Sequence, residues 1–361
     1  MSTEHGRRCV HTASPTAAGT TPDRARSFGR VRRAGWTCDD ATVSGTLFRV
    51  HAAGAVLALA ALSVTACGDD FDQVKLTMVA GSDTGVYYKL STALADAWTR
   101  NPGIPRPQVV ATAGSVDNLE RLRTGQAQVG FSAADAAEEA QADTSGHRLY
   151  ALARMHDDYL QLAVRDDVPA TKLADLKGKR VSLGARDSGV KLIAERLLRS
   201  ADISPTEDLQ PRYLDLNATT DAMRDGALDA FFWSGGVPTT GVTTLATTVK
   251  LRMLDLDDVL PNLRRLYPVY GSATLPASAY ELPGGPVTKP ITTLVVRNFL
   301  LVTDAMPEDV AAALLRGLFQ AQPELVAVSP VARSIEVRSA IETTPLPLHP
   351  GAKSYYRDVK V

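Results

Sequence analysis

From Val74 onward, short apolar and β-branched runs alternate with stretches in which apolar residues recur three and four positions apart. The apolar runs predict strands over Val74–Ala80, Gln108–Ala113, Gln128–Ser132, Leu149–Met155, Leu160–Arg165, Arg180–Ala185, Pro211–Leu214, Leu228–Ser234, Leu251–Asp255 and Thr292–Val302. Helical spacing predicts helices over Tyr87–Thr99, Ser115–Thr124, Ser188–Ala201, Ala218–Asp225, Asp257–Leu266 and Pro307–Val328. Strand followed by helix, again and again, is the pattern of an α/β sheet assembled from βαβ units.

At 361 residues and 45% hydrophobic, the chain is long enough for two such domains. Two passages read as the divisions. DDVPATKLADLKGKRVSLG carries Pro and Gly punctuation before a new strand, and YPVYGSATLPASAYELPGGPVTKP is Pro/Gly-rich before the last one. Residues 74–165 with 276–361 are therefore expected to form a first domain, and 166–275 a second.

The N-terminal region differs in kind. Residues 1–42 are arginine-rich with Ser, Thr, Gly and Pro and carry almost no apolar period, which reads as a disordered extension or as sequence upstream of the true translation start. Residues 43–66 read as a signal peptide: Arg49 precedes an apolar run too short to span a bilayer comfortably. A twin-arginine route through Arg32 and Arg33 is the weaker reading, because Asp39 and Asp40 stand between that pair and the apolar run. The run ends in Val64-Thr65-Ala66-Cys67, which resembles a bacterial lipobox, and residues 67–73 read as a polar tether. Cleavage there removes Cys9 and Cys38, so the mature chain keeps one acylated cysteine, Cys67, and no possible disulfide.

With 39 basic and 40 acidic residues, the charge balance points to no nucleic-acid partner. Two loops are nearly repeated, GSDTGVYYKL from Gly81 and GARDSGVKL from Gly184, each after a β-branched run and each opening a helix. Neither has the Gly-Lys-Ser/Thr of a phosphate-cradling loop or the G-x-G-x-x-G of a dinucleotide fold. Ser188 and Lys191 form an S-x-x-K pair, but the Ser-Asp-Asn and Lys-Thr-Gly elements of a Ser-Lys acyl hydrolase are missing. His147, His156 and His349 show no metal spacing, and nothing implies a cofactor. A Gly-rich corner at a helix start presents free backbone N–H groups and attracts an anion, with Thr84 and Ser188 as hydroxyl donors. The plainer alternative is that both are ordinary N-caps.

The order of motifs is more telling than any one of them. The lipobox, GSDTGVYYKLSTALADAW, VVATAGSVDNLERLRTGQAQVGFSAAD, LADLKGKRVSLGARDSGVKLIAERLL, DGALDAFFWSGGVPTT, RRLYPVY and PLHPGAKSYYR together resemble the TAXI family of TRAP transporter solute receptors, a periplasmic-binding-protein-like, NMT1-like group. The resemblance runs from about Lys75 to Arg357. It implies a two-domain α/β fold with a hinge and an interdomain cleft that closes on a small, carboxylate-bearing solute such as glutamate or a dicarboxylate. It also implies a monomer that is anchored to the membrane by lipid and delivers solute to a multi-spanning permease. A lipoprotein that signals to a membrane sensor kinase shares that fold and remains the alternative.

Matched position by position, the first loop carries Gly81, Thr84, Gly85, Tyr87 and Tyr88, and the next Thr112, Gly114, Ser115, Val116 and Asn118. The third carries Gly184, Ser188 and Gly189, and the FFWSGGVPT segment Phe232, Gly235 and Pro238. The resemblance thus implies ligand contacts from Ser82, Thr84, Gly85, Tyr87, Thr112, Gly114, Ser115, Asn118, Asp187, Ser188, Gly189, Trp233 and Ser234. Asp83 stands where the family usually has Gly and places a carboxylate beside the site, so a cationic or zwitterionic solute is the competing expectation. Tyr267 and Tyr270 are further candidates for the cleft wall or the core, and Arg154, Arg165 and Arg297 for a carboxylate clamp or the surface.

Overall fold

The computed structural model describes residues 71–275, 280 and 290–361. The extension, the signal segment, Cys67 and the first part of the tether lie outside those residues.

The chain opens with β1 (Thr77–Val79), α1 (Val86–Arg100), β2 (Gln108–Val110), α2 (Ser115–Arg123) and β3 (Val129–Ala133). β1 pairs in parallel with both β2 and β3. Helix α3 (Ala134–Ala140) follows β3 directly, and β4 (Leu149–Arg165) is a single strand of 17 residues. The same arrangement then recurs. β5 (Arg180–Ser182), α4 (Gly189–Ser200), β6 (Gln210–Arg212), α5 (Leu216–Arg224) and β7 (Ala230–Gly235) follow, with β5 parallel to β6 and β7. Next come α6 (Thr240–Ala246), β8 (Leu251–Met253), α7 (Leu260–Leu266), β9 (Gly271–Leu275) and the long β10 (Ile291–Thr303). Helices α8 (Glu308–Gln320), α9 (Gln322–Val328), α10 (Val337–Ala340) and α11 (Pro350–Asp358) close the chain.

All ten strands form one mixed sheet in the order β2-β1-β3-β10-β4-β7-β5-β6, with β8 on β4 and β9 on β10. Among the described residues, the two three-stranded parallel sets are joined through β4 and β10, which run antiparallel side by side from Val295 opposite Tyr159 to Thr303 opposite Leu149. Both strands change their outer partners partway along. β4 meets β7 from Tyr159 onward, while β10 pairs with β9 up to Val295 and with β3 from Asn298, with an irregular register between Arg297 and Phe299. β4 and β10 thus link the two parallel sets within one continuous sheet.

The longer helices pack onto the sheet through apolar stripes. On α1 the stripe is Leu90, Leu94, Ala97 and Trp98, and the Trp98 indole N–H donates to Leu314 O at 2.9 Å, tying α1 to α8 in one core. On α4 it is Val190, Ile193, Ala194, Leu197 and Leu198, which join Leu119, Leu122 and the inner face of β4 in a second. A third core packs α5 and α6 against Phe231, Leu228 and Met253.

Four readings of the pattern are corrected. The two strands over Leu149–Met155 and Leu160–Arg165 are one, because polar His156 and Asp158 are buried in the strand rather than exposed in a turn. The helix over Pro307–Val328 divides at Ala321, with Pro323 near the start of the second piece. Strand β9 is hidden in a Pro/Gly-rich passage. Helices α3, α6 and α11 are too short or too Ala- and Thr-rich to show an apolar period.

Candidate functional site

Among the described residues, four loops and three strands, β3, β4 and β7, line a cavity of about 440 Å³. Four helices begin on its wall: Gly85, Gly114, Ser188 and Asp215, the N-caps of α1, α2, α4 and α5, all line it. Strand ends running into helix starts put these corners together, and each start leaves backbone N–H groups without helical partners. Ser188 and Asp215 fill part of that need with their own side chains, accepting from Lys191 N at 3.1 Å and Ala218 N at 2.8 Å. Gly85 and Gly114 have no side chain with which to do so, and α1 and α2 lack a side-chain cap.

The loops approach one another closely. Gly114 has φ +125°, in the region that favours glycine, and a methyl group there would lie 3.6 Å from the Ser188 Cα. On Gly189 a methyl group would sit 3.0 Å from Ser115 Oγ. The backbone N–H of Asp117 donates to Asp187 O at 3.1 Å across the same seam. The second of the repeated loops thus meets the Gly114–Ser115 corner, and not its look-alike at Gly81.

Of the residues singled out by sequence, Ser82, Gly85 and Tyr87 line the cavity from the first loop, and Thr112, Gly114 and Ser115 from the second. Ser188, Gly189, Trp233 and Ser234 line it from the other half. Three lie elsewhere. Thr84 is exposed at the outer edge, where its hydroxyl donates to Asn217 Oδ1 at 3.1 Å. Asn118 is fully buried behind the wall, accepting from Thr112 Oγ1 at 2.6 Å and donating to Phe131 O at 2.8 Å. Asp187 faces a separate surface hollow.

Ser188 spends its own proton on Ala185 O at 2.7 Å, so its hydroxyl is committed to capping on both sides. The Lys191 amine is held by Glu195 at 3.3 Å rather than by Ser188, so the S-x-x-K pair is not arranged as a nucleophile and base. Tyr267 and Tyr270 pack edge to face away from the cavity, and the Tyr270 hydroxyl donates to Asp135 Oδ2 at 2.8 Å. Arg154 pairs with Asp157 and Glu342, Arg165 with Asp167, and neither they nor Arg297 reach the wall.

Tyr87 forms the floor. Its ring stacks on Phe131 with centroids 5.0 Å apart, its edge meets His156, and its hydroxyl donates to Asn298 Oδ1. Burial, and then the negative charge of Asp158, push its ionisation well above the usual tyrosine value, so it stays neutral. Opposite it, Trp233 offers its ring while the indole N–H donates to Thr239 Oγ1 at 3.0 Å.

Apart from Asp83, sequence reasoning passed over the charged part of the wall. Asp158 on β4 lines the cavity and is only 6% exposed; Asp215 and Asn217 at the start of α5 line it as well, beside Asp83. Among the described residues no lysine, arginine or histidine lines it. The interruption of two apolar runs by HDDY was the one available signal for Asp158, and an Asp three residues before Ala218 signalled the cap at Asp215. Among the described residues no group of three His, Cys, Asp or Glu could hold a metal ion, and no helix is long and apolar enough to cross a membrane.

Solved structures similar to this chain include the periplasmic aliphatic sulphonate binding protein SsuA from Escherichia coli, at 19% identity over 78% of each chain with a TM-score of 0.43. A putative L-cystine ABC transporter from Listeria monocytogenes matches at 13% identity over 71% of this chain and 94% of its own, with a TM-score of 0.45. The ligand-binding component of an ABC-type import system from Staphylococcus aureus matches at 12% identity over 79% and 99%, with a TM-score of 0.47. The NMT1-like family model matches residues 78–359, nearly the whole described chain, and the protein therefore belongs to the NMT1-like family.

Proposed function

We propose that the protein is an extracytoplasmic solute-binding receptor of a membrane transporter. The observation that carries this reading is the cavity itself. It is walled by loops from both parallel strand sets, and Asp158 of β4, one of the two long strands that link those sets, lines it as well. Its volume falls in the range of about 300–1,000 Å³ usual for small-molecule sites. Capture by closure of two halves around a solute uses this geometry directly.

The finer proposal is a TRAP-type receptor, held at the membrane through acylated Cys67 and working as a monomer with a multi-spanning permease. The order of motifs from the lipobox to PLHPGAKSYYR supports it. A carboxylate on the solute has natural partners in the uncapped starts of α1 and α2, whose backbone N–H groups supply hydrogen bonds without a charged side chain.

A thermal-shift screen of amino acids, dicarboxylates, polyamines and sulphonates tests the receptor reading. A true solute at about a hundred times its dissociation constant stabilises the fold by roughly 2.7 kcal/mol. If no compound raises the melting temperature, the receptor reading fails.

A further inference from the structure

We infer that Asp158 is the specificity-determining carboxylate of the cavity, and that it selects a solute bearing a protonated amine or another cationic nitrogen. The inference deepens the receptor reading and rests on it.

Three acidic side chains line the cavity, and two of them already have work. Asp215 accepts from the first turn of α5, and Asp83 accepts from Asn217 Nδ2 at 3.2 Å. Asp158 does not. It is 94% buried by its 6% exposure, it lines the cavity, and its Oδ1 has no hydrogen-bond partner. His156 Nε2 stands 3.2 Å from that oxygen, a charge pair only when the imidazole is protonated, and makes no hydrogen bond to it; both ring nitrogens of His156 lack hydrogen-bond partners too. The Tyr87 hydroxyl, which is also near, is turned to Asn298.

A buried carboxylate that is left unpaired is costly, and proteins keep one where something is to meet it. No lysine, arginine or histidine on the described wall can do so from within the cavity. A cationic nitrogen on the solute supplies the missing charge and the missing hydrogen bond in one step, and charge-assisted bonds are the strong ones. A solute with carboxylates alone meets three acidic side chains and no cation.

The position of Asp158 adds to this. It sits on β4 opposite Val296, one residue before β4 takes up β7, so it belongs to the shared strands rather than to a loop of either half. A solute group held there is fixed at the junction, about which both walls can close.

The test uses three probes of equal chain length, butanedioate, 4-aminobutanoate and 1,4-diaminobutane, with ethylammonium chloride against sodium chloride at matched ionic strength as a fourth. Melting curves are recorded for the protein and for Asp158→Asn and Asp158→Glu. The expected result is stabilisation by amine-bearing probes beyond butanedioate and beyond sodium chloride, an affinity loss of about ten-fold or more in Asp158→Asn, and a retained amine preference in Asp158→Glu. Asp158→Asn keeps the shape and removes a buried charge, so its melting temperature without probe is expected to match or exceed that of the wild type. Equal binding of butanedioate, an unchanged amine response in Asp158→Asn, a lost preference in Asp158→Glu, or no response to any amine overturns the inference. The receptor reading survives each of these if another compound of the wider screen binds, and falls only if none does.

Discussion

Thr84 and Asn217 meet across the outer edge of the cavity, the threonine hydroxyl donating to the asparagine Oδ1 at 3.1 Å. Asn217 Nδ2 donates at 3.2 Å to Asp83, so one side chain at the start of α5 holds two neighbours in the loop after β1. Lys89 Nζ donates to Thr240 Oγ1 at 3.2 Å between the same halves. These contacts are exposed, and each is worth about 0.5–1.5 kcal/mol at most. Asn217→Ala is expected to weaken solute binding about 2- to 10-fold, chiefly through faster release, while leaving stability without solute nearly unchanged. Stopped-flow dissociation measures it, and an unchanged release rate shows that the bridge does not hold the closed form.

Ser188 behaves as a cap. Ser188→Ala should cost about 1 kcal/mol in urea denaturation and change affinity by less than about two-fold. A larger loss of affinity in calorimetry, with stability intact, would restore the hydroxyl to the list of direct solute contacts.

Closure should bend β4 near Tyr159 and β10 between Val295 and Asn298, where the partner strands change and the register is irregular. Solution scattering with saturating solute is expected to show a smaller radius of gyration than without it. An identical value argues for a site that is already closed.

A buried acid, Asp135, and a half-buried one, Asp229, should give opposite pH dependences. Burial raises the Asp135 carboxyl above its ordinary value, against the Tyr270 hydrogen bond and the Arg196 charge. Its native form therefore holds a proton more tightly than the unfolded chain, and that stability is lost as pH rises from about 3.9 through the raised native value. Wild-type protein should fall behind Asp135→Asn over that window. Asp229 is held below the usual range, first by hydrogen bonds from Arg180, so its contribution is present above about 3.9 and is lost as pH falls through the depressed value. Urea midpoints from pH 2 to 7 for Asp135→Asn and Asp229→Asn separate the two, and parallel profiles for both variants would count against this assignment.

Cys67→Ser should move the protein from the membrane fraction to the soluble one, because stable anchoring needs two acyl signals and the substitution removes the acceptor. Continued membrane association would sink the lipid-anchor proposal.

How far the sequence speaks depends on how local the cause is. The Gly/Ser/Thr corners at Gly81, Gly114 and Ser188 were legible, because tight turns and helix starts need those residue types wherever they occur. Most helices showed their apolar stripe for the same reason. β4 was split in two because His156 and Asp158 look solvent-facing, and what covers them lies far along the chain, β10 beside Asp158 and the Tyr87 ring against His156. Asn217 carries no local mark at all; it acquires its role from residues more than a hundred positions away. Ser188 was legible as a helix start but not as a spent donor, since the carbonyl that takes its proton is set by the turn at Ala185.

β10 is the last strand in the chain and lies between β3 and β4, in the middle of the sheet. A nascent chain therefore carries two edges that wait for the same late segment, and neither half can be finished from its own early residues. Contacts of such long sequence separation fold slowly. For the exported receptor proposed above, a keystone made last would keep the polypeptide pliable until most of it has crossed.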